Sequence, residues 1–244
     1  MSRIRLDQLV VQQGLAESRE KAQRLILAGQ VAIGTEPATK PGKLVDDASE
    51  LHVAAREPFV GRGGLKLRQA FDVFHLDVAG LICLDVGAST GGFTDCLLQR
   101  GAAKVYAVDV GKGQLHWKLR TDPRVVVMES VNARHLRPED VPEPVGFACM
   151  DVSFISLTKV LPAVTRLVQE GRRIVTLIKP QFEAERRQVG KGGVVRDPAV
   201  HEAVVAKIRR FGTEEAGLRW IGVCESPVKG PAGNIEFLAC WEKP

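Results

Sequence analysis

The 244-residue sequence has no long apolar segment, no internal repeat and no low-complexity tract. No apolar run approaches the roughly 18 residues that a membrane-spanning helix needs. The first ten residues, MSRIRLDQLV, lack the apolar centre of a signal peptide. We therefore expect a protein that neither spans a membrane nor leaves the cell by the ordinary secretory route.

Cysteines are few, and none are paired in a C-x-x-C motif. An odd number placed mostly in apolar runs predicts reduced core residues, and hence a cytoplasmic protein. The five are Cys83, Cys96, Cys149, Cys224 and Cys240. The five histidines are scattered, and no spacing among them predicts a metal site.

What the sequence does contain is enough apolar material for a core and a mild excess of positive charge. Hydrophobic residues make up 45% of the chain, and 34 Lys and Arg against 29 Asp and Glu give a net charge of +5. This balance favours a polyanionic partner without identifying one.

The segment Leu81 to Phe93, LICLDVGASTGGF, predicts a buried strand, a glycine-rich turn and the start of a helix. Its spacing, D-x-G-x-x-x-G-G, departs from the G-x-G-x-x-G fingerprint of dinucleotide-binding proteins, because Ser89 replaces the second glycine. The spacing resembles motif I of the S-adenosylmethionine-dependent methyltransferases with a Rossmann-like fold, which implies that the turn contacts the cofactor. A structural turn without a ligand is the alternative.

Further strands and helices alternate after this turn. Strands are predicted at Lys104 to Asp109, Arg124 to Met128, Val145 to Met150 and Arg173 to Ile178, helices at 94–99, 158–169 and 198–211, and a terminal strand pair at 220–224 and 235–241. This order predicts an α/β fold with a Rossmann-like doubly wound, mostly parallel sheet of seven strands. The motif I resemblance implies that this sheet is of the methyltransferase type.

Ligands of such sheets bind at the carboxyl ends of the strands, where polar residues follow apolar runs. Asp109 lies about twenty residues after the turn and is placed to accept hydrogen bonds from ribose hydroxyls, as in nicotinamide and methyl-donor sites alike. Asn132 lies where this fold usually places a polar group beside an adenine ring. The predicted cofactor-binding residues are Asp85, Gly87, Ala88, Ser89, Gly91, Gly92, Phe93, Asp109 and Asn132.

The first 57 residues form a unit of their own. Leu6, Leu9 and Val10 recur at helical spacing, Ser18 is placed to cap a second helix, and short strands are predicted at 31–33 and 51–53. The strings RLDQLVVQQGLAESREKAQRLILAGQVAIG and KPGKLVDD resemble the S4 RNA-binding domain, a small α+β domain. The resemblance implies RNA contacts by the basic residues Arg3, Arg5, Arg19, Lys21 and Arg24, and we add Arg62 to this set. An ordinary solvated helix face is the alternative, since basic and acidic residues are equally frequent in residues 1–60.

Residues 58–64 are predicted to be a linker, with the catalytic unit spanning 65–244. Its strings GGLKL, MDVSF, IKPQFE and GNIEF resemble the Lys-Asp-Lys-Glu tetrad of the RrmJ/FtsJ-type RNA ribose 2′-O-methyltransferases, which implies catalytic roles for Lys66, Asp151, Lys179 and Glu236. Together with the N-terminal unit, the whole chain resembles the TlyA family, described as haemolysins or as ribosomal RNA cytidine-2′-O-methyltransferases.

The tetrad suits the chemistry, because a ribose hydroxyl is a poor nucleophile that needs a base or a group stabilising the alkoxide. Lys179 is the candidate for either role, with Lys66 beside it and with Asp151 and Glu236 orienting the two amines. A surface ion pair between Lys66 and Glu236 is the alternative. The basic segment 184–197, AERRQVGKGGVVRD, is interpreted as a loop that closes over RNA or as a solvated connection.

The sequence and the family resemblance therefore predict an S-adenosylmethionine-dependent 2′-O-methyltransferase that acts on ribose, with cytidine as the expected nucleotide, in 16S ribosomal RNA, 23S ribosomal RNA or both. Ribosomal subunits are the expected partners, and a monomer is the favoured state. A noncatalytic RNA-binding or ribosome-assembly factor is the second hypothesis. A membrane-active haemolysin lacks support, because a pore needs amphipathic barrel strands or apolar helices. A dehydrogenase is disfavoured by the absent second fingerprint glycine.

Overall fold

A computed structural model describes residues 3–53 and 58–244. The chain divides between Pro58 and Phe59 into two compact units. Each unit has its own apolar core.

The N-terminal unit combines two short helices with five three-residue strands. The helices are α1 (Leu6–Gln12) and α2 (Arg19–Leu27), and the strands are β1 (Arg3–Arg5), β2 (Val31–Ile33), β3 (Glu36–Ala38), β4 (Leu44–Asp46) and β5 (Leu51–Val53). The antiparallel pair β1-β4 and the antiparallel sheet β3-β2-β5 are separate. Ser18 caps α2 as predicted, because its Oγ accepts a hydrogen bond from the Lys21 amide at 3.2 Å.

The second unit alternates strands and helices. The strands are β6 (Ile82–Val86), β7 (Lys104–Asp109), β8 (Val125–Glu129), β9 (Val145–Met150), β10 (Val168–Ile178), β11 (Arg219–Glu225) and β12 (Phe237–Glu242). The α-helices are α3 (Gly63–Phe74), α4 (Gly92–Gln99), α5 (Trp117–Arg120), α6 (Leu161–Leu167), α7 (Pro180–Glu183) and α8 (Pro198–Glu214), and short 3-10 turns lie between them.

The seven strands form one sheet in the order β11-β12-β10-β9-β6-β7-β8. β12 runs antiparallel to both of its neighbours, and the other pairings are parallel. The predicted Rossmann-like, mostly parallel sheet is therefore confirmed. Because the strand order reverses between β6 and β9, a crevice is expected at the carboxyl ends of these two strands.

The central strands β6, β7 and β9 are buried on both faces of the sheet, which explains their apolar sequences. In β9, Phe147 and Cys149 face the layer that contains α3 and α4, whereas Ala148 and Met150 face the layer that contains α6 and α8. The side chains alternate because successive residues of a strand point to opposite faces.

The structure differs from the sequence prediction at two places in this unit. Residues 59–64 pack with the second unit instead of forming a linker, since Phe59 is buried in its core and α3 begins at Gly63. Glycines and a proline interrupt the apolar pattern there, which suggested a connection, yet Gly64 approaches Phe59 so closely that a Cβ would lie 2.2 Å from its ring. β10 begins at Val168, in the stretch predicted to end a helix, with an irregularity before Arg173.

Candidate active site

The glycine turn after β6 brings two strand ends together. The amides of Gly87 and Ala88 both donate to the Val108 carbonyl oxygen, at 2.8 and 3.1 Å. Gly87 has a φ of +87°, and a Cβ there would lie 2.5 Å from the Asp151 carbonyl oxygen. Glycine is therefore required here, because the backbone that follows β6 approaches the backbone that follows β9 closely.

Asp85, predicted to bind cofactor, is completely buried and lines neither of two cavities that lie close to this turn. Its Oδ2 accepts a hydrogen bond of 2.6 Å from Thr94 Oγ1 on α4. Burial raises the pKa of the Asp85 carboxyl to about 7, and the negative charges of Asp151 and Asp109 act in the same direction. In this structure Asp85 ties the strand to the following helix.

The larger cavity lies at the carboxyl ends of β6 to β9 and has a volume of about 600 Å³. Valine and isoleucine side chains form much of its wall, and Asp109, Asn132 and Ser89 supply polar groups. We call it the cofactor cleft. Gly87 also lines this cleft, whereas Ala88, Gly92 and Phe93 line the neighbouring pocket, and Gly91 lines neither.

Two backbone amides hold the Asp109 carboxylate in one orientation in the wall of this cleft. Its Oδ2 accepts from the Ser89 amide at 2.8 Å, and its Oδ1 accepts from the Gly111 amide at 2.7 Å. A carboxylate has about four acceptor sites, so sites remain for ligand hydroxyls. Asn132 is exposed, and its Oδ1 accepts from the Arg134 amide at 3.2 Å.

The smaller pocket, of about 260 Å³, contains all four members of the predicted tetrad. The Lys66 Nζ lies 2.7 Å from the Glu236 Oε2 and 3.5 Å from the Asp151 Oδ2. The Lys179 Nζ lies 2.5 Å from the Asp151 Oδ1 and donates to the Ser153 Oγ at 2.8 Å. We call this cavity the tetrad pocket, in which Asp151 sits between the two amines.

The pair formed by Lys66 and Glu236 is buried, which excludes the surface ion pair considered from sequence. Glu236 is 1% exposed, and Lys66 is 8% exposed. Lys66 precedes the core residue Leu67 on α3 and borders the apolar face of that helix. A buried charge needs a close partner, and each member of this pair supplies it to the other.

Glu183 holds the segment that follows β9. Its carboxylate accepts from Ser156 Oγ and from the Leu157 amide, both at 2.6 Å. Burial raises the pKa of this carboxyl, while these two hydrogen bonds oppose the rise. The segment between Asp151 and Ser156 is thereby fixed, with Phe154 at its tip.

Phe154 is exposed to an unusual degree for an aromatic side chain. It is 91% exposed, has a φ of +62°, lines the cofactor cleft and lies 5.0 Å from the ring of Phe182. A positive φ is strained for a residue with a large side chain, so such a position is a candidate for function.

The predicted RNA-binding residues fall into two groups. Arg5 and Arg19 of the N-terminal unit both contact the buried carboxylate of Asp7, at 3.0 Å. The pKa of Asp7 is lowered chiefly by its hydrogen bonds from Arg5, with Gln23 and Arg19 adding to the effect. Arg3, Lys21 and Arg24 are exposed in the same unit. Arg62 belongs to the second unit and lines the tetrad pocket.

Several residues of this site were not singled out from sequence. They are Ser153, Phe154, Gln181, Glu183, Lys229 and Asn234. The first four and Asn234 lie in the strings DVSF, KPQFE and GNIEF that carried the tetrad, so these strings contained the available signal. Nothing in the local sequence pattern marked Lys229.

Three features define a Rossmann-like methyltransferase. They are the strand order of the sheet, the glycine turn, and the two adjoining cavities at the place where the strand order reverses. The chain belongs to the FtsJ-like methyltransferase family, whose model matches residues 59–243. Residues 4–51 match the model of the S4 domain.

Proteins of the TlyA group are similar to this chain over nearly its whole length. It is 50% identical to a Mycobacterium tuberculosis protein named 16S/23S rRNA (cytidine-2′-O)-methyltransferase TlyA, across 97% of this chain and 88% of that protein. It is 46% identical to Hemolysin A of Brachyspira hyodysenteriae, across 97% and 98%. A solved structure named as a hemolysin from Streptococcus thermophilus is 47% identical, with a TM-score of 0.76, across 100% of this chain and 89% of the other. Of the helices formed by the described residues, none is long and apolar enough to span a membrane.

Proposed function

We propose that this protein transfers a methyl group from S-adenosylmethionine to the ribose 2′-oxygen of a cytidine in ribosomal RNA. One observation carries the proposal: the cofactor cleft and the tetrad pocket share Gly87, Ser89, Asp151 and Ser153. A methyl donor in the cleft and a hydroxyl in the pocket would therefore meet beside Lys179. The names of the similar proteins support ribosomal RNA and cytidine as the substrate.

The residues of the cofactor cleft fit S-adenosylmethionine. Asp109 has free acceptor sites for ribose hydroxyls, Asn132 offers an amide to an adenine edge, and Val110 and Ile155 supply apolar walls. The bound cofactor would supply a methyl group on a sulfonium centre. The neutral thioether that remains is a good leaving group, so this step needs no metal ion.

The tetrad would bind and activate the ribose hydroxyl. Lys179 has three donor sites as an ammonium, of which Asp151 and Ser153 occupy two. The third position remains for the ribose oxygen, which takes the methyl group as the neutral thioether leaves. A deprotonated Lys179 would accept the hydroxyl proton there, whereas the ammonium form would stabilise the developing negative charge while the proton passes to solvent. Asp151 orients Lys179 directly and contacts Lys66, which Glu236 fixes from the other side. Preorganised groups of this kind act where charge appears in the transition state.

The N-terminal unit would supply affinity for RNA. Arg5 and Arg19 remain 41% and 50% exposed while contacting Asp7, so their guanidinium groups can still reach phosphates. Asp7 holds the two arginines next to each other, which lowers the entropy lost when both bind one RNA strand.

The test is methyl transfer from labelled S-adenosylmethionine to purified 30S and 50S subunits that lack the modification. Nuclease digestion then locates the label. Label on a 2′-oxygen of cytidine supports the proposal, and label on a base overturns the reaction assigned. Cofactor binding without labelling of either subunit would favour the noncatalytic assembly factor. Free ribosomal RNA, assayed beside the subunits, separates a need for RNA sequence from a need for the assembled particle.

A further inference from the structure

The basic segment 184–197 is attached to the loop that carries Glu236. We call this segment the basic arm. Its exposed charges are Arg186, Arg187, Lys191 and Arg196, opposed within the arm by Glu185 and Asp197. Within the part of the chain that the structure describes, the Lys191 side chain has neither a hydrogen bond nor an ion pair.

The arm folds back on itself around Lys191. The amide of Gly190 donates to the Val194 carbonyl oxygen at 3.0 Å, and the Gly193 amide donates to the Gly190 carbonyl oxygen at 3.1 Å. Gly192 and Gly193 both have positive φ angles, which permit the reversal. Lys191 is therefore the side chain at the tip of a tight turn.

A buried asparagine connects this turn to the loop that carries Glu236. Asn234 is 1% exposed, its Oδ1 accepts from the Val195 amide at 2.9 Å, and its Nδ2 donates to the Gly193 carbonyl oxygen at 2.9 Å. Both ends of the amide are thus used by the arm. The Asn234 carbonyl oxygen accepts from the Gly230 amide at 2.9 Å, which closes the loop that leads to Glu236.

The arm has a second attachment at the same residue. The Val195 carbonyl oxygen lies 3.0 Å from His201 Nε2, and Val195 itself is buried. With Asn234 on its amide and His201 on its carbonyl, Val195 has both backbone polar groups satisfied inside the protein. A backbone held on both sides resists displacement, so Val195 anchors the arm near its carboxyl end.

We infer that Asn234 is a positioning residue that holds Lys191 at a set distance from the tetrad, where it binds a phosphodiester group of the RNA. The inference rests on the proposed function for the identity of the polyanion. A cation fixed relative to the tetrad pocket positions the RNA strand without reading its base sequence, because phosphate contacts set the position and orientation of the nucleic acid on the protein. Asn234 itself contacts no RNA.

The experiment is a double-mutant cycle of Asn234→Ala and Lys191→Ala in the full chain, with Lys159→Ala as an exposed-lysine control in the same unit. We expect Lys191→Ala to raise the KM for the ribosomal subunit that serves as substrate several-fold, with kcat unchanged. We expect Asn234→Ala to raise that KM at least as much. In the Asn234→Ala background, Lys191→Ala should then add almost nothing, because the arm no longer presents the lysine.

Independent, multiplicative effects of the two substitutions would overturn the inference, as would a Lys191→Ala variant that behaves like Lys159→Ala. If Asn234→Ala does not fold, Asn234→Asp serves, since it keeps the acceptor for the Val195 amide and loses the donor to Gly193. It should show a smaller increase in KM and a weaker coupling to Lys191→Ala.

A readout without RNA separates positioning from general stability. Trypsin cuts after the arginines and lysine of the arm, and we expect Asn234→Ala to accelerate this cleavage at a temperature where the rest of the chain stays intact. Equal cleavage rates in the wild type and in Asn234→Ala would contradict the role of Asn234 in holding the arm. If the wild type methylates no RNA, the same variants are compared by their RNA-binding constants, measured over a range of salt concentrations. Loss of Lys191 should then reduce the magnitude of the slope of log K against log salt concentration by about 0.7 to 0.9.

Discussion

The carboxylate of Asp151 lies 2.5 Å from the amine of Lys179, at the point where the cofactor cleft joins the tetrad pocket. The two residues follow neighbouring parallel strands, β9 and β10, whose carboxyl ends meet at one edge of the sheet. Their contact therefore follows from strand order, and it sets the position of the amine.

Replacing Lys179 with alanine should lower kcat by roughly 10² to 10⁴, the usual contribution of a general acid or base. The affinity for S-adenosylmethionine should stay unchanged, because the cleft walls do not depend on this side chain. Single-turnover methylation and calorimetric titration of the cofactor measure the two quantities. Lys159→Ala is the matched control, and a Lys179→Ala variant within tenfold of it would remove Lys179 from the mechanism.

Asp109→Asn should weaken cofactor binding by about tenfold or more, because one charged acceptor for ribose hydroxyls is lost and hydrogen bonds to charged groups contribute about 1.5–3 kcal/mol. RNA binding should not change. Equilibrium titration with the cofactor measures this, and Glu225→Gln, an exposed carboxylate on β11, is the control. Equal affinities for the two variants would place the cofactor ribose elsewhere.

Phe154→Ala should raise the KM for RNA without lowering the free energy of unfolding, since the ring is almost fully exposed. Stacking of a base on an aromatic ring contributes about 1–3 kcal/mol, so we expect an increase of about five-fold or more. Val73→Ala, another exposed apolar residue, is the control. A loss of stability with an unchanged KM would assign Phe154 to packing.

Asp85 should make stability depend on pH between about 4 and 7. Its pKa is raised from 3.8 to about 7, so the folded state holds a proton that the unfolded chain has lost. Stability from this group is complete below the unfolded value and is lost as pH rises through the folded one, at about 1.4 kcal/mol per pH unit. The unfolding free energy of wild type minus that of Asp85→Asn should therefore fall from pH 5 to 7 and level off above, and a flat difference would contradict the raised pKa.

Asp7 should act in the opposite direction in the N-terminal unit. Because its pKa is lowered below 3.8, its stabilisation is present above that value and is lost as pH falls through and below it. Asp7→Asn should destabilise this unit by about 1–3 kcal/mol at pH 7. Amide exchange of Leu9 and Val10 on α1 reports on the unit alone, and equal exchange in both proteins at pH 7 would rule out the stabilisation.

The local sequence pattern predicted correctly those secondary-structure elements whose apolar residues alternate or recur clearly. Strands at Val31–Ile33, Leu51–Val53 and Val145–Met150 have the predicted bounds, because apolar residues and turn residues mark both ends. The strands β1, β3 and β4 were missed, since their sequences RIR, EPA and LVD contain charged residues or a proline that obscure an apolar strand pattern. Residues 59–64 were misread because glycine needed for close packing resembles glycine needed for a turn.

The sequence by itself determined the fold class, the glycine turn and, through family resemblance, the four residues of the tetrad. Tertiary structure alone decided which groups touch: Lys66 and Glu236 are 170 positions apart in the chain yet form a contact of 2.7 Å. It also decided that Asp85 is buried, that Arg5 and Arg19 share Asp7, and that Asn234 holds the basic arm. The physical reason is that periodicity records which face of an element is buried, whereas partners across the fold depend on strand order and packing, which no local spacing encodes.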